Sequence, residues 1–216
     1  APAAAAFDSS KYETIRDAAA LQTWIDRIYA RGYVAVDTET TGLNEMRADL
    51  VGVSLCVQAG EAAYLPLAHR AGQSDDLFGT DALAEGQMDL DTALAMLKPM
   101  LEDSTILKIG QNMKYDAKIL ARVGIQVAPI DDTMLMSYVQ HGGLHNHGMD
   151  LLSERYLDHA PISIKTLLGS GKSAITFDRV PIDEASLYAA EDADITLRLW
   201  QYLKLRLHLN RVTAVY

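Results

Sequence analysis

Asp37-Thr38-Glu39 sets two carboxylates two residues apart at the end of the apolar run Tyr33-Val34-Ala35-Val36. If that run is a strand, its period of two aims both acids at one face. Two unit charges about 4 Å apart repel by about 4 kcal/mol at an effective dielectric of about 20, so the pair is costly unless a cation or proton offsets it. Mg²⁺ prefers oxygen ligands and binds through few carboxylates together with substrate phosphate, which suits such a pair. A lone Asp-x-Glu is served equally well by a solvated strand-to-loop corner, so more acids are needed. Asp116 supplies one, inside a helix expected from Lys114 to Val123 behind a strand expected from Thr105 to Ile109. Open α/β sheets place ligand crevices at that edge, although an acid there also complements the helix dipole. Tyr188 and Asp192 stand at i and i+4 on a helix expected from Ile182 to Leu207 and so share a face. A phenol beside a carboxylate can orient a metal-bound water, or simply find an acceptor for a half-buried hydroxyl.

These groups need elements to hold them. Ile15, Leu21, Trp24, Ile25 and Ile28 recur at helical spacing between Tyr12 and Tyr29, and Arg31-Gly32 ends the pattern. Tyr33 to Asp37, Leu50 to Val57 and Ala62 to Leu67 read as strands; the turn Gln58-Ala59-Gly60 makes the sheet begin antiparallel. Ala68 to Met88 lacks periodicity and reads as a surface loop. Further helices are expected through Leu90, Leu94, Leu97 and Leu101, from Thr133 to Val139 and from Met149 to Tyr156, and Pro181 is placed to open the helix from Ile182. This order predicts an α/β layer fold, a mixed sheet flanked by helices.

The 216 residues, 49% of them hydrophobic, suffice for one substantial core. No apolar run approaches the roughly 20 residues of a membrane-spanning helix, so no membrane association is expected. Cys56 is the single cysteine and has no disulfide partner in the chain, consistent with a reducing cytoplasm. The net charge of −10 argues on its face against nucleic acid, where phosphate recruits Lys and Arg. A metal-dependent phosphodiesterase must nevertheless concentrate carboxylates, and bound cations reverse the local field.

In order, Asp37-x-Glu39, Asn112-x-x-x-Asp116 and Tyr188-x-x-x-Asp192 resemble the three exonuclease motifs of the DEDD superfamily in its tyrosine-bearing branch. That branch includes the proofreading domains of family A DNA polymerases and the RNase D-like exonucleases. Val36-Asp37-Thr38-Glu39-Thr40, Gly110-Gln111-Asn112-Met113-Lys114-Tyr115-Asp116, Asp132-Thr133-Met134-Leu135 and Tyr188-Ala189-Ala190-Glu191-Asp192-Ala193-Asp194 are similar to the bacterial polymerase domains, and the resemblance runs from about Tyr12 to the C-terminus. It implies a ribonuclease H-like fold and 3′ to 5′ hydrolysis of the terminal phosphodiester of DNA, releasing nucleoside 5′-monophosphates. It further implies two divalent ions, Mg²⁺ before Mn²⁺ or Zn²⁺, held by Asp37, Glu39, Asp116 and Asp192 and set roughly 3.5–4 Å apart. Asp37 would bridge both ions, Glu39 and Asp192 would complete one site, Asp116 would support the other partly through water, and Tyr188 would orient the nucleophile. Thr38, Leu43, Gln111, Asn112, Tyr115 and Ile164 are the implied substrate-binding residues, with Leu43 wedging against the terminal base. The implied partners are a single-stranded or frayed 3′ end of DNA and a covalently linked polymerase domain; the isolated domain is expected to be a monomer, in the bacterial cytoplasm and at the nucleoid through DNA.

This chain departs from the family in two places. Ile164 stands where an aromatic residue is usual, and an aliphatic contact forgoes stacking worth about 1–3 kcal/mol per base. Asn146 stands where an Arg often precedes the equivalent of His147. Both departures predict a weak grip on DNA. Gly169-Ser170-Gly171-Lys172-Ser173 imitates a P-loop, but Thr166 occupies the position of its first glycine and no strand precedes it. His141, His145 and His147 have no cysteine nearby to complete a zinc site and read as a surface loop. Glu191 and Asp194 point about 100° and 200° away from Asp192 round the helix and read as solvated or cap-like charges. Residues 1–10 are expected to be a linker, 11–208 the exonuclease domain, and 209–216 the start of a connection to a polymerase domain. An RNase D-like RNA exonuclease shares the same acids, and a metal-free scaffold bracing a polymerase is the non-enzymatic alternative. The wording of the second and third motifs favours DNA, and the complete set of acids argues against the scaffold.

Overall fold

Eight residues from Tyr33 to Thr40 form β2, which runs through the middle of the sheet. In the computed structural model, which describes residues 7–71 and 82–216, β2 pairs antiparallel with β3 (Leu50–Gln58) and parallel with β5 (Leu107–Gly110). β4 (Glu61–Pro66) lies antiparallel on β3, and β1 (Glu13–Thr14) lies parallel on β4 at one edge. β6 (Ile130–Asp132) closes the other edge parallel to β5, so the six strands run in the order β1-β4-β3-β2-β5-β6.

Alternation along β2 divides the molecule into two layers. Val34 and Val36 enter the larger core with Val53 and Leu55, beneath α1 (Ala18–Arg31), α2 (Leu90–Glu102) and α3 (Met113–Arg122). Leu21, Trp24, Ile25 and Ile28 form the buried stripe of α1, and each such side chain contributes about 1.5–3 kcal/mol through burial. Ala35 faces the other way, with Cys56, Ala62 and Ile109, onto Ala190, Ala193 and Leu197 of α7 (Ile182–Leu209). α4 (Thr133–His141) and α5 (Met149–Leu157) cover the far side of α7 through Met136, Leu152, Ile195, Leu199 and Leu203. Sheet on one side and helices on the other bury α7 continuously from Ala189 to Leu199. The short helix α6 (Ile164–Leu168) borders its N-terminal half.

Several local expectations shift. The opening helix starts at Ala18 rather than near Tyr12: Asp17 accepts from the Ala20 amide and caps it, which frees Glu13 and Thr14 to pair as β1. β5 runs from Leu107 to Gly110, two residues later than Thr105. β6 and α6, of three and five residues, are too short to carry a period and were not expected. Of the loop read between Ala68 and Met88, residues 72–81 lie outside the described residues; His69 is buried, with its ring nitrogens 2.9 Å from Tyr64 Oη and 3.0 Å from the Val180 carbonyl. Residues 1–6 of the expected linker also lie outside, whereas Phe7 stacks on His159 with centroids 3.6 Å apart. Gly171 to Ser173 form a single 3-10 turn. At the C-terminus Tyr216 folds back, and its hydroxyl accepts from the Asp132 amide at 2.7 Å.

Asp194 corrects the expectation of a solvated charge. It is fully buried, and its carboxylate accepts from Arg198 Nε, the Gly60 amide and the Tyr12 hydroxyl, each at 2.9 Å. A helix covered on every side has no face left for an unpaired charge, so this acid ties α7 to the β3–β4 turn. Arg198→Met removes the balancing cation and is expected to cost about 3–5 kcal/mol in urea unfolding. Adding Asp194→Asn should recover part of that loss; a single-variant cost below about 1 kcal/mol would mean that the pair is peripheral.

Candidate active site

Asp37 and Glu39 follow Ala35 at a period of two and therefore face α7. The contact there is made by Ala35, Cys56 and Ala62 against Ala190 and Ala193, which lets helix and sheet approach closely. Asp192 is thereby brought onto the same acids: one oxygen each from Asp37, Glu39 and Asp192 lie within 4.8 Å of one another. Among the described residues no other group of acids, histidines or cysteines is so placed. The three histidines of the 141–147 loop pack ring against ring instead, with His145 and His147 centroids 4.9 Å apart and His147 Nδ1 2.9 Å from the Ser137 hydroxyl.

Asp116 reaches the centre from the opposite layer. Thr38 lies on the α3 side of β2, and both its amide (3.0 Å) and its hydroxyl (2.5 Å) donate to Asp116 Oδ1. That clamp gives Thr38, expected only among the substrate-binding residues, a role in setting an acid. Tyr188 stands one turn from Asp192 on α7, and its ring centroid rests 5.9 Å from that of Phe177.

Burial is the first cause that raises the pKa of every one of these groups. Asp37 is held well above the ordinary carboxylate range by desolvation, then by the charges of Asp116, Glu39 and Asp192. Glu39 is raised by desolvation and then by Asp192 and Asp116. Burial pushes Asp116 up to about 7 against the lowering effect of the Thr38 bonds. Asp192 goes up to about 8 through burial, partly offset by the Tyr188 bond. Burial and the Asp192 charge raise the Tyr188 phenol far enough to keep it a donor. Glu39 Oε1 is buried without a hydrogen-bond partner. An acceptor in that position costs free energy unless a proton or cation meets it, and an all-carboxylate donor set suits a hard divalent ion. The residues present therefore fit the metal centre.

The expected substrate-binding residues surround this centre unevenly. Leu43, on the β2–β3 loop, is 95% exposed. Tyr115 bonds through its hydroxyl to the Gly42 carbonyl and Thr40, tying α3 to that loop. Gln111 is buried, its amide donating to the His147 carbonyl at 2.8 Å and its oxygen held by Thr133. Asn112 adopts the left-handed conformation at φ 60° in front of α3. Ile164 opens α6 and packs, half-buried, in the cluster that includes Tyr188 and Phe177.

Glu191, like Asp194, was expected in solvent and is buried. Its Oε2 accepts from the Ile162 amide at 2.7 Å, and its Oε1 lies 2.9 Å from His159 Nε2. It thus anchors the segment that leads to Ile164 from the residue next to Asp192. No sequence pattern signals this contact, because its partners lie 29 and 32 residues away.

A family profile described as 3′–5′ exonuclease matches residues 12–208. DNA polymerase I of Rhizobium leguminosarum is 50% identical over 97% of this chain, and that of Pseudomonas aeruginosa 41% identical over 93%. The chain spans about a fifth of the length of these relatives, 21% and 22%. Among solved structures, Brucella melitensis NrnC aligns with a TM-score of 0.64 at 23% identity over 94% of this chain and 84% of its own. Escherichia coli RNase D, described as an exoribonuclease involved in structured RNA processing, aligns with 0.64 at 19% identity over 92% of this chain and 45% of its own. At these identities the structures show the shared fold, which is ribonuclease H-like with a mixed α/β sheet. No helix among the described residues is long and apolar enough to cross a membrane.

The raised carboxylates set a pH dependence whose sign is fixed. Their ordinary values are 3.8 for Asp and 4.5 for Glu, and their folded values are higher. Between those limits the native state binds more protons than the unfolded chain, so their contribution is greatest below the ordinary values and is lost as pH rises through the folded ones. Stripped of metal, the protein should melt at a lower temperature at about pH 8 than at about pH 5. Stabilisation by added Mg²⁺ should grow over the same interval, because binding needs the ionised acids. Asp37→Asn should flatten both trends in thermal melts; equal Mg²⁺ stabilisation at the two pH values in wild type would exclude the cluster as its origin.

Proposed function

The chain belongs to the 3′–5′ exonuclease family found in bacterial DNA polymerase I, and from that membership we propose that it hydrolyses the terminal phosphodiester of DNA from the 3′ end, releasing nucleoside 5′-monophosphates one at a time. The observation that carries the chemistry is the convergence of Asp37, Glu39 and Asp192 within 4.8 Å beside an orphaned Glu39 oxygen. Asp37, Glu39, Asp192 and Asp116 would hold two divalent ions, Mg²⁺ foremost. When bound, such ions lower the pKa of an attacking water and offset charge on the phosphate and the leaving oxygen. The residues do the rest. Tyr188, kept protonated by burial and by the neighbouring Asp192 charge, orients the water for in-line attack. Thr38 holds Asp116 in one rotamer through two bonds to the same oxygen, so little reorganisation is left to the reacting state. Leu43 and Ile164 flank the terminal base, while Gln111, Asn112 and Tyr115 line the path of the strand.

A frayed or single-stranded 3′ end is the substrate of a proofreading module, and residues 11–208 form that module, linked through 209–216 to a polymerase domain. On its own the domain acts as a monomer, in the bacterial cytoplasm at the nucleoid. RNA hydrolysis is the second reading, supported by the shared fold with RNase D; discrimination rests on contacts to the 2′-hydroxyl.

Incubation of 5′-labelled single-stranded DNA and RNA with Mg²⁺ should give a one-nucleotide ladder from DNA, abolished in Asp37→Ala and Asp192→Ala. A ladder from RNA alone, or one unaffected by either substitution, would overturn the reading. Thr38→Val removes a bond that lowers the Asp116 pKa. The acid limb of the pH–rate profile should therefore move to higher pH, and kcat/KM at neutral pH should fall about tenfold, the effect of losing one charge-assisted bond.

A further inference from the structure

Asp132 stands at the junction of β6 and α4 and is 5% exposed. Its carboxylate does two jobs. Oδ1 accepts from the Met134 amide at 2.8 Å and the Leu135 amide at 3.2 Å, which caps α4. The same carboxylate also reaches across the sheet edge: Oδ1 accepts from the Asn112 amide at 3.2 Å and Oδ2 from the Met113 amide at 3.0 Å. α3 has no side-chain cap of its own, since its N-cap Asn112 makes none. Asp132 therefore serves as the cap of α3 from outside, 20 residues away in the chain. Its neighbour Thr133 completes the brace, donating its hydroxyl to the Gly110 carbonyl at 3.1 Å and bonding to the Gln111 side chain.

We propose that Asp132 is a positioning residue for the carboxylate centre, one that fixes the Gly110–Met113 turn and, through it, Asn112 and Asp116. Thr38 holds the Asp116 side chain, while Asp132 holds the backbone amides at the start of the helix that carries it. Asn112 is held at φ 60° and ψ 42°, a left-handed conformation that glycine adopts freely and asparagine tolerates at a smaller cost than other residues, and the bonds to its own amide and to the next one stabilise it. Asp116 lies in the first turn of α3, so a shift of the Met113 amide moves its carboxylate relative to Asp37 and Glu39. Asp132 touches neither substrate nor metal under the function proposed above, on which this inference rests; it acts through the backbone of α3, beside a smaller direct effect of its charge on Asp116.

The two jobs can be separated. Asp132→Ser keeps a side-chain acceptor for the α4 amides but is too short to reach Met113. Asp132→Asn keeps Oδ1 for α4 and turns an amide donor toward the Met113 N–H. Both variants are expected to melt within a few degrees of wild type, with the Met113 amide exchanging faster in hydrogen-exchange measurements. Mg²⁺ affinity by calorimetry without DNA should fall about tenfold to a hundredfold, as for other outer partners of metal ligands. In hydrolysis of single-stranded DNA the Mg²⁺ concentration for half-maximal rate should rise by the same factor, with kcat at saturating Mg²⁺ within about threefold of wild type. Asp132→Ala should lose both caps and melt lower than either. Wild-type Mg²⁺ affinity and wild-type Met113 exchange in Asp132→Ser and Asp132→Asn would overturn the proposal, as would losses that simply track melting temperature across the three variants. If wild type degrades no DNA, the proposed function fails, while calorimetry and amide exchange still decide the role of Asp132.

Discussion

Ala35, Cys56 and Ala62 on the sheet pack against Ala190 and Ala193 on α7, with Ile109 and Leu197 in the same cluster, and the placement of the acids depends on that contact. Across this contact of small residues Asp192 joins Asp37 and Glu39, so acids from separate elements share one small volume. Their repulsion in a buried setting is unfavourable, and the core, caps and ion pairs around them must offset it. Burial first, and for Asp37 and Glu39 the neighbouring acids next, raise the pKa of these carboxylates, an opposition that a bound cation would relieve.

The second constraint is that the fourth acid comes from the wrong side of the sheet. α3 packs in the layer with α1 and α2, whereas Asp192 descends from α7 on the opposite face. Asp116 meets the others only because it sits where β2 emerges beyond the C-terminal end of β5, and Thr38 on the intervening face takes hold of it. Consecutive residues of one strand thus address both layers: Asp37 and Glu39 face α7, and Thr38 between them faces α3. The alternation that defines a strand is what lets a three-residue motif organise acids from two helices.

Three acids within four residues of α7 are assigned to three different places. Glu191 holds the segment leading to Ile164, Asp192 joins the centre, and Asp194 anchors the β3–β4 turn with Arg198. Helical rotation separates them by about 100° per residue, and burial on all sides gives each a partner. The helix that supplies Asp192 to the acidic centre is in this way fastened to the segment leading to Ile164 and to the sheet.

Much of this was legible in the sequence. The strand carrying Asp37 and Glu39, the helix carrying Tyr188 and Asp192, and the α/β layering follow from apolar period, caps and turn residues, which act over a few neighbours. The motifs pointed to exonuclease chemistry by resemblance to a known family, and they could be matched because each is a short local pattern: Asp37-x-Glu39, Asn112-x-x-x-Asp116 and Tyr188-x-x-x-Asp192. Tertiary structure alone decided that Glu191 and Asp194 are buried, that Thr38 clamps Asp116 and that Asp132 caps a helix across the sheet edge. Each of these depends on a partner 20 or more residues away, and a charge shows no sign in sequence of whether a distant donor will meet it. Local order is written in neighbouring residues; whether an acid is solvated, paired or catalytic is settled by what the fold sets against it.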